Sequence, residues 1–108
     1  MSEKGTSDLD IVVGKIEQYV QENSVGGLTN NSYFKIGLDN GKIKSANTCS
    51  LLYGYLTLGL SSFITYPYIE IVGDSTSKNK TMADNIVKAV NHIKAINSGQ
   101  IQIHISLS

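Results

Sequence analysis

The chain of 108 residues has no arginine, a single cysteine, a single proline and few charges. Each shortage excludes something. Arginine supplies the planar fork that reads phosphates and base edges, so nine lysines without one arginine argue against sequence-specific nucleic-acid binding. A formal net charge of zero gives no electrostatic footprint for DNA, and it offers little protection against self-association. With Cys49 alone, no intrachain disulfide can form. A lone thiol suits a reducing compartment, and the expected location is the cytoplasm. The opening Met1-Ser2-Glu3-Lys4-Gly5 has no apolar stretch behind its charges and is read as the start of a short mobile tail over residues 1–7, not as a signal peptide. Residues 8–108 are expected to form one domain.

Charge is also missing from Ser45 to Ile69, a run long enough to span a bilayer. Polar residues interrupt it, from Asn47 and Thr48 to Ser61, Ser62 and Pro67, and its most apolar part is only Leu51 to Leu60. It is read as buried core, with no membrane span.

What is present is periodicity. Ser7 is placed as an N-cap, and Asp8 and Asp10 lie where a helix dipole favours anions. Leu9, Val12, Val13, Ile16, Tyr19 and Val20 then repeat at helical spacing, opposite Lys15, Glu17, Gln18, Gln21 and Glu22. Phe34, Ile36 and Leu38 alternate with Tyr33, Lys35 and Gly37 up to Asn40-Gly41, the strongest short-range hairpin signal, because a type I′ turn needs positive φ at both central residues. A two-residue loop there pairs Leu38 with Ile43. Asn47-Thr48 is placed as the cap of a second helix along Leu52, Tyr55, Leu56, Gly59, Leu60 and Phe63. Leu52, Leu56, Leu58 and Leu60 also alternate as a strand would, and helix is the expectation over strand because the apolar arc is long and leucine-rich.

Tyr66 to Val72 reads as a strand with Pro67 at an edge or bend, and Gly73 to Lys80 as a polar loop. Thr81 with Asp84 forms a capping-box pattern for a third helix with Ala83, Ile86, Val87, Val90 and Ile93 as its buried stripe. Ile101, Ile103, Ile105 and Leu107 alternate with Gln102, His104 and Ser106 as a final strand with one wet face. The expected class is α+β in the order α-β-β-α-β-α-β, with a mostly antiparallel sheet packed with helices.

The segment Gly27-Leu28, Tyr33 to Ile43 and Ser45-Ala46, between a helix at Ile11 to Val20 and a helix at Leu51 to Leu60, resembles the PATAN-type domain, a module found at the N-terminus of certain cyanobacterial response regulators. The resemblance covers residues 11–63. It departs from the family at Ser45, where histidine is usual, and 73–108 has no counterpart. It implies a non-catalytic signalling or adaptor module acting through protein contacts.

For chemistry the sequence offers little. Gly73, six residues and Lys80-Thr81 fail the phosphate-loop pattern, which needs a second glycine and a shorter spacing. Ser77, Lys78, Lys80 and Thr81 remain a candidate anion site near a helix N-terminus, against the alternative of a solvated loop and a cap. Tyr53, Tyr55, Tyr66 and Tyr68 are a candidate interaction surface, against the alternative of tyrosines at the rim of the core; Tyr66 and Tyr68 are expected to be the exposed pair. No catalytic residue, metal site or cofactor is assigned. Asp39, Glu70, Asp74, His92 and His104 are the available acid-base groups, and nothing in their spacing joins them. Cys49, near the expected helix start, is read as a buried structural thiol. The expected function is therefore a small interaction or adaptor module binding a protein partner or itself, with a homodimer as the simplest form. A small-ligand or anion-binding domain is the alternative. If the final strand lies at a sheet edge, it can pair with a second copy.

Overall fold

The computed structural model describes residues 8–22, 32–50, 67–97 and 101–108. The expected N-terminal tail, the Ser7 cap and the body of the expected second helix lie outside the described residues.

Helix α1 (Asp8–Glu22) buries Val12, Ile16, Tyr19 and Val20, the stripe that its spacing predicts, and keeps Asp8 and Asp10 in its first turn. Strands β1 (Ser32–Asp39) and β2 (Lys42–Ser50) form an antiparallel hairpin with Leu38 opposite Ile43. Asn40 (φ 51°) and Gly41 (φ 79°) both take the left-handed conformation that the turn requires. A register shift follows between Gly37 and Leu38, so that Lys44 is the extra residue of a bulge. Strand β2 runs on to Ser50, paired with Ser32, which corrects the helix cap expected at Asn47-Thr48. The start of β1 offers open backbone groups there, and the ladder takes up 47–50 as strand.

Strand β3 (Tyr68–Gly73), helix α2 (Ser77–Asn97) and strand β4 (Gln102–Leu107) complete the described elements. The sheet order is β2-β1-β3-β4. Among the described strands only β1 and β2 are antiparallel; β1 with β3 and β3 with β4 are parallel. The sheet is therefore mixed, where a mostly antiparallel one was expected. Between β3 and β4 the cause is the connection: a two-residue turn reverses a strand, whereas a crossover through a helix as long as α2 returns the chain in the same direction.

Helices α1 and α2 cover one face of the sheet. Val12, Ile16, Tyr19 and Val20 of α1 and Ala83, Ile86, Val90 and Ile93 of α2 share one core with Phe34, Ile36, Leu38, Ala46, Ile69 and Ile71. Among the described residues no helix is long and apolar enough to cross a membrane.

Two buried polar side chains fasten the ends of this layer. The Tyr19 hydroxyl accepts from the Tyr68 amide (3.0 Å) and donates to the Ser32 carbonyl (3.0 Å), joining α1 to the starts of β1 and β3. At the other end Asn79, fully buried, accepts from the Gly41 amide (2.8 Å) and donates to the Asp74 carbonyl (2.8 Å). The backbones close up around it. A Cβ at Gly73 would lie 2.7 Å from the Leu38 carbonyl oxygen and 3.1 Å from Asn79 Nδ2.

Helix α2 starts earlier than its sequence suggests. The Asn79 amide donates to Thr76 Oγ1 (3.2 Å), which makes Thr76 the N-cap. Thr81, expected as the cap, is already inside the helix and donates to the Ser77 carbonyl (3.0 Å). Thr76 prevails because its cap lets Asn79 reach the core-side end of the hairpin.

Candidate functional site

The edges of the sheet differ in chemistry. Among the described strands β2 ends the sheet on one side and is guarded by exposed Lys42 and Lys44 and by the bulge, devices that discourage pairing with another chain. Strand β4 ends it on the other side. It carries no lysine, no proline and no register shift.

The hydrogen bonds of β4 set which of its groups face outward. The Gln102 amide donates to the Pro67 carbonyl (2.9 Å), and the Ser108 amide to the Gly73 carbonyl (3.0 Å). The Ser75 amide donates to the Ser108 carbonyl (3.2 Å). Even-numbered residues of β4 thus direct their N–H and C=O groups to β3. By alternation, Ile103, Ile105 and Leu107 direct theirs outward. Among the described residues no strand meets that outer edge. The side chains of the same three residues lie on the helix-covered face, where Ile103 and Leu107 pack against the core and Ile105 stays 45% exposed.

The face away from α1 and α2 carries a polar row. Register places Asn47, Lys35, Glu70 and His104 side by side across all four strands. Glu70 is only 6% exposed, and among the described residues its Oε1 has no hydrogen-bond partner. Burial raises its pKa, partly opposed by the positive charge of Lys35 and by His104. Of the five acid-base groups, the fold thus brings Glu70 and His104 into neighbouring positions. Asp39 and His92 are exposed on β1 and α2, and Asp74 follows β3. Among the described residues no three potential metal ligands come together.

Tyr68 stands two residues before Glu70 on the same face and is 4% exposed, not at the surface as expected. It opens a strand flanked by β1 and β3's other neighbour β4, with its amide held by Tyr19. Burial raises its pKa, and the Glu70 carboxylate adds to the rise. Tyr53, Tyr55 and Tyr66 lie outside the described residues. Cys49 sits on β2, half-buried, with its thiol 3.9 Å from the Asn47 carbonyl oxygen.

The other predicted residues meet at the hairpin turn. Ser77, Lys78 and Thr81 line an open cleft of about 390 Å³ with Asn40, Gly41, Lys42, Met82 and Asn85. Lys80, exposed on the same turn of α2, does not line it. Lys42 was not anticipated here, because its place beside Lys78 depends on the hairpin docking onto α2 through Asn79. The one local signal for Asn79 was its position three residues after Thr76.

Comparison with protein-family models, curated proteins and solved structures finds no match to this chain.

Proposed function

We propose that this chain is a small non-catalytic interaction module, of adaptor or signalling type, that associates with itself through the outer edge of β4. One observation supports it above the rest: an uncharged edge strand presents the outward backbone groups of Ile103, Ile105 and Leu107, while the opposite edge is guarded by lysines. The zero net charge favours the same reading. A PATAN-type module would act in the same manner, through protein contacts. A cytoplasmic setting, read from the lone thiol, belongs to the same proposal.

Sedimentation velocity tests it. The wild-type chain is expected to shift from monomer to dimer as concentration rises through the micromolar range. Ile105→Lys, which places a guarding charge on β4, is expected to stay monomeric. A wild-type chain that remains monomeric at high micromolar concentration counts against the proposal.

The second reading is anion binding in the cleft at the start of α2, where Lys42 and Lys78 bring two positive charges to the Ser77 and Thr81 hydroxyls. Calorimetry with inorganic phosphate tests it. Heats unchanged by Lys42→Ala and Lys78→Ala remove the cleft from consideration.

A further inference from the structure

We infer that the partner at β4 is a second copy of this chain, docked antiparallel with the two-fold axis at Ile105. The inference rests on the self-association reading and adds its register. A two-fold contact brings the same strand from both copies together, and identical strands related in this way across a sheet edge run antiparallel. In an antiparallel ladder, directly opposite residues exchange both backbone hydrogen bonds at every second position. Those positions must be residues whose groups face out, and on β4 these are Ile103, Ile105 and Leu107.

Only one register pairs the three with one another. With Ile105 opposite the partner's Ile105, Ile103 meets the partner's Leu107 and Leu107 meets the partner's Ile103. A shift by two residues in one direction pairs only Ile105 and Leu107 with each other. A shift in the other direction draws in Ile101, which is buried and precedes the strand. A shift by one residue points inward-facing groups at the partner and forms no ladder.

The side chains suit the same register. On the helix-covered face, Ile105 is covered by its own copy, and Ile103 and Leu107 cover each other. On the opposite face, His104 meets the partner's Ser106, so no two ionisable groups stand directly opposite. The two four-stranded sheets join into one of eight strands, with the lysine-guarded β2 strands at both ends.

The test uses the full chain. A proline at position 105 removes an outward N–H and blocks the ladder, and edge positions of this kind tolerate proline in the monomer. Ile105→Pro is expected to keep the far-ultraviolet circular dichroism of the wild type and to raise the dimer dissociation constant at least ~10-fold. A nitroxide at position 102, placed by Gln102→Cys in a Cys49→Ser background, gives an independent readout that does not depend on the proline variant folding. Three residues either side of the axis at about 3.4 Å each put the two labelled backbones roughly 20 Å apart. A dimer through β2 would separate them by roughly 30 Å or more. A separation near 20 Å together with loss of the dimer in Ile105→Pro supports the inference. A dimer that survives folded Ile105→Pro with the short separation overturns the register and leaves self-association standing; one with the long separation overturns both the register and the β4 edge. A wild-type chain that is monomeric throughout overturns self-association as well.

Discussion

The Gln102 amide donates to the Pro67 carbonyl oxygen at 2.9 Å, and this bond sets the phase of β4. Every even-numbered residue of the strand then bonds inward, and every odd-numbered one faces out. The phase has a consequence for the monomer. Ser106→Pro removes an N–H that points at β3, so it is expected to destabilise the fold by at least ~2 kcal/mol. Ile105→Pro is expected to cost much less. Urea denaturation of the two variants below the dimer concentration checks the order, and the reverse order would place the phase one residue off.

Asn79 is the polar keystone of the opposite end. Asn79→Ala leaves the Gly41 amide and the Asp74 carbonyl without their partner in a part-buried place. The expected loss is about 2 kcal/mol, since an orphaned group costs about 1–3 kcal/mol when buried and less where water reaches it. Gly41→Ala is expected to be costly as well, because its φ is positive and its Cβ would fall 2.9 Å from Lys78 Cβ. Thermal unfolding of both variants measures the effect, and a change within ~0.5 kcal/mol for Asn79→Ala would contradict the clamp.

Tyr19 connects stability to alkaline pH. Burial pushes its phenol up to about 12 from 10.0, although the Tyr68 amide bond favours the charged form. A raised folded pKa means that the native state holds the proton longer. The associated stability is complete below pH 10 and is lost as pH rises from 10 through 12. The loss over that window is about 3 kcal/mol. Tyr19→Phe is expected to lower stability at neutral pH and to flatten the alkaline limb. Urea midpoints from pH 8 upward, compared between the two proteins, check this; parallel curves would contradict it.

Glu70 does the same at acid pH. Its folded pKa is raised, so its contribution is complete below the ordinary value of 4.5 and is lost as pH rises through the raised one. Glu70→Gln is expected to be more stable than wild type at neutral pH and to show a shallower decline from acid to neutral. Lys35→Met, which removes an opposing positive charge, is expected to steepen the decline. Denaturation across pH 4 to 8 reads all three, and a wild-type curve that declines no more than that of Glu70→Gln would contradict the assignment.

Much of this arrangement was legible in the residues. The stripes of α1 and α2, the Asn40-Gly41 turn, the pairing of Leu38 with Ile43 and the alternation of β4 are local patterns, set by side-chain period and turn chemistry. The parallel pairings were not, because nothing within Tyr68 to Gly73 encodes whether its neighbour is β1 or β2. The same holds for the site. Placing His104 beside Glu70, Lys42 beside Lys78 and Tyr68 in the interior depends on register between segments far apart in the chain. Asp84 completes a box that points to Thr81 as the cap of α2, whereas Thr76 has the advantage of a buried partner in Asn79.

The most direct test is amide hydrogen exchange by nuclear magnetic resonance at low and high protein concentration. The expected result is that Gln102, His104 and Ser106 are protected at both, while Ile103, Ile105 and Leu107 gain protection only as the dimer forms. Rapid exchange of those three amides in a sample that is fully dimeric would contradict association through β4.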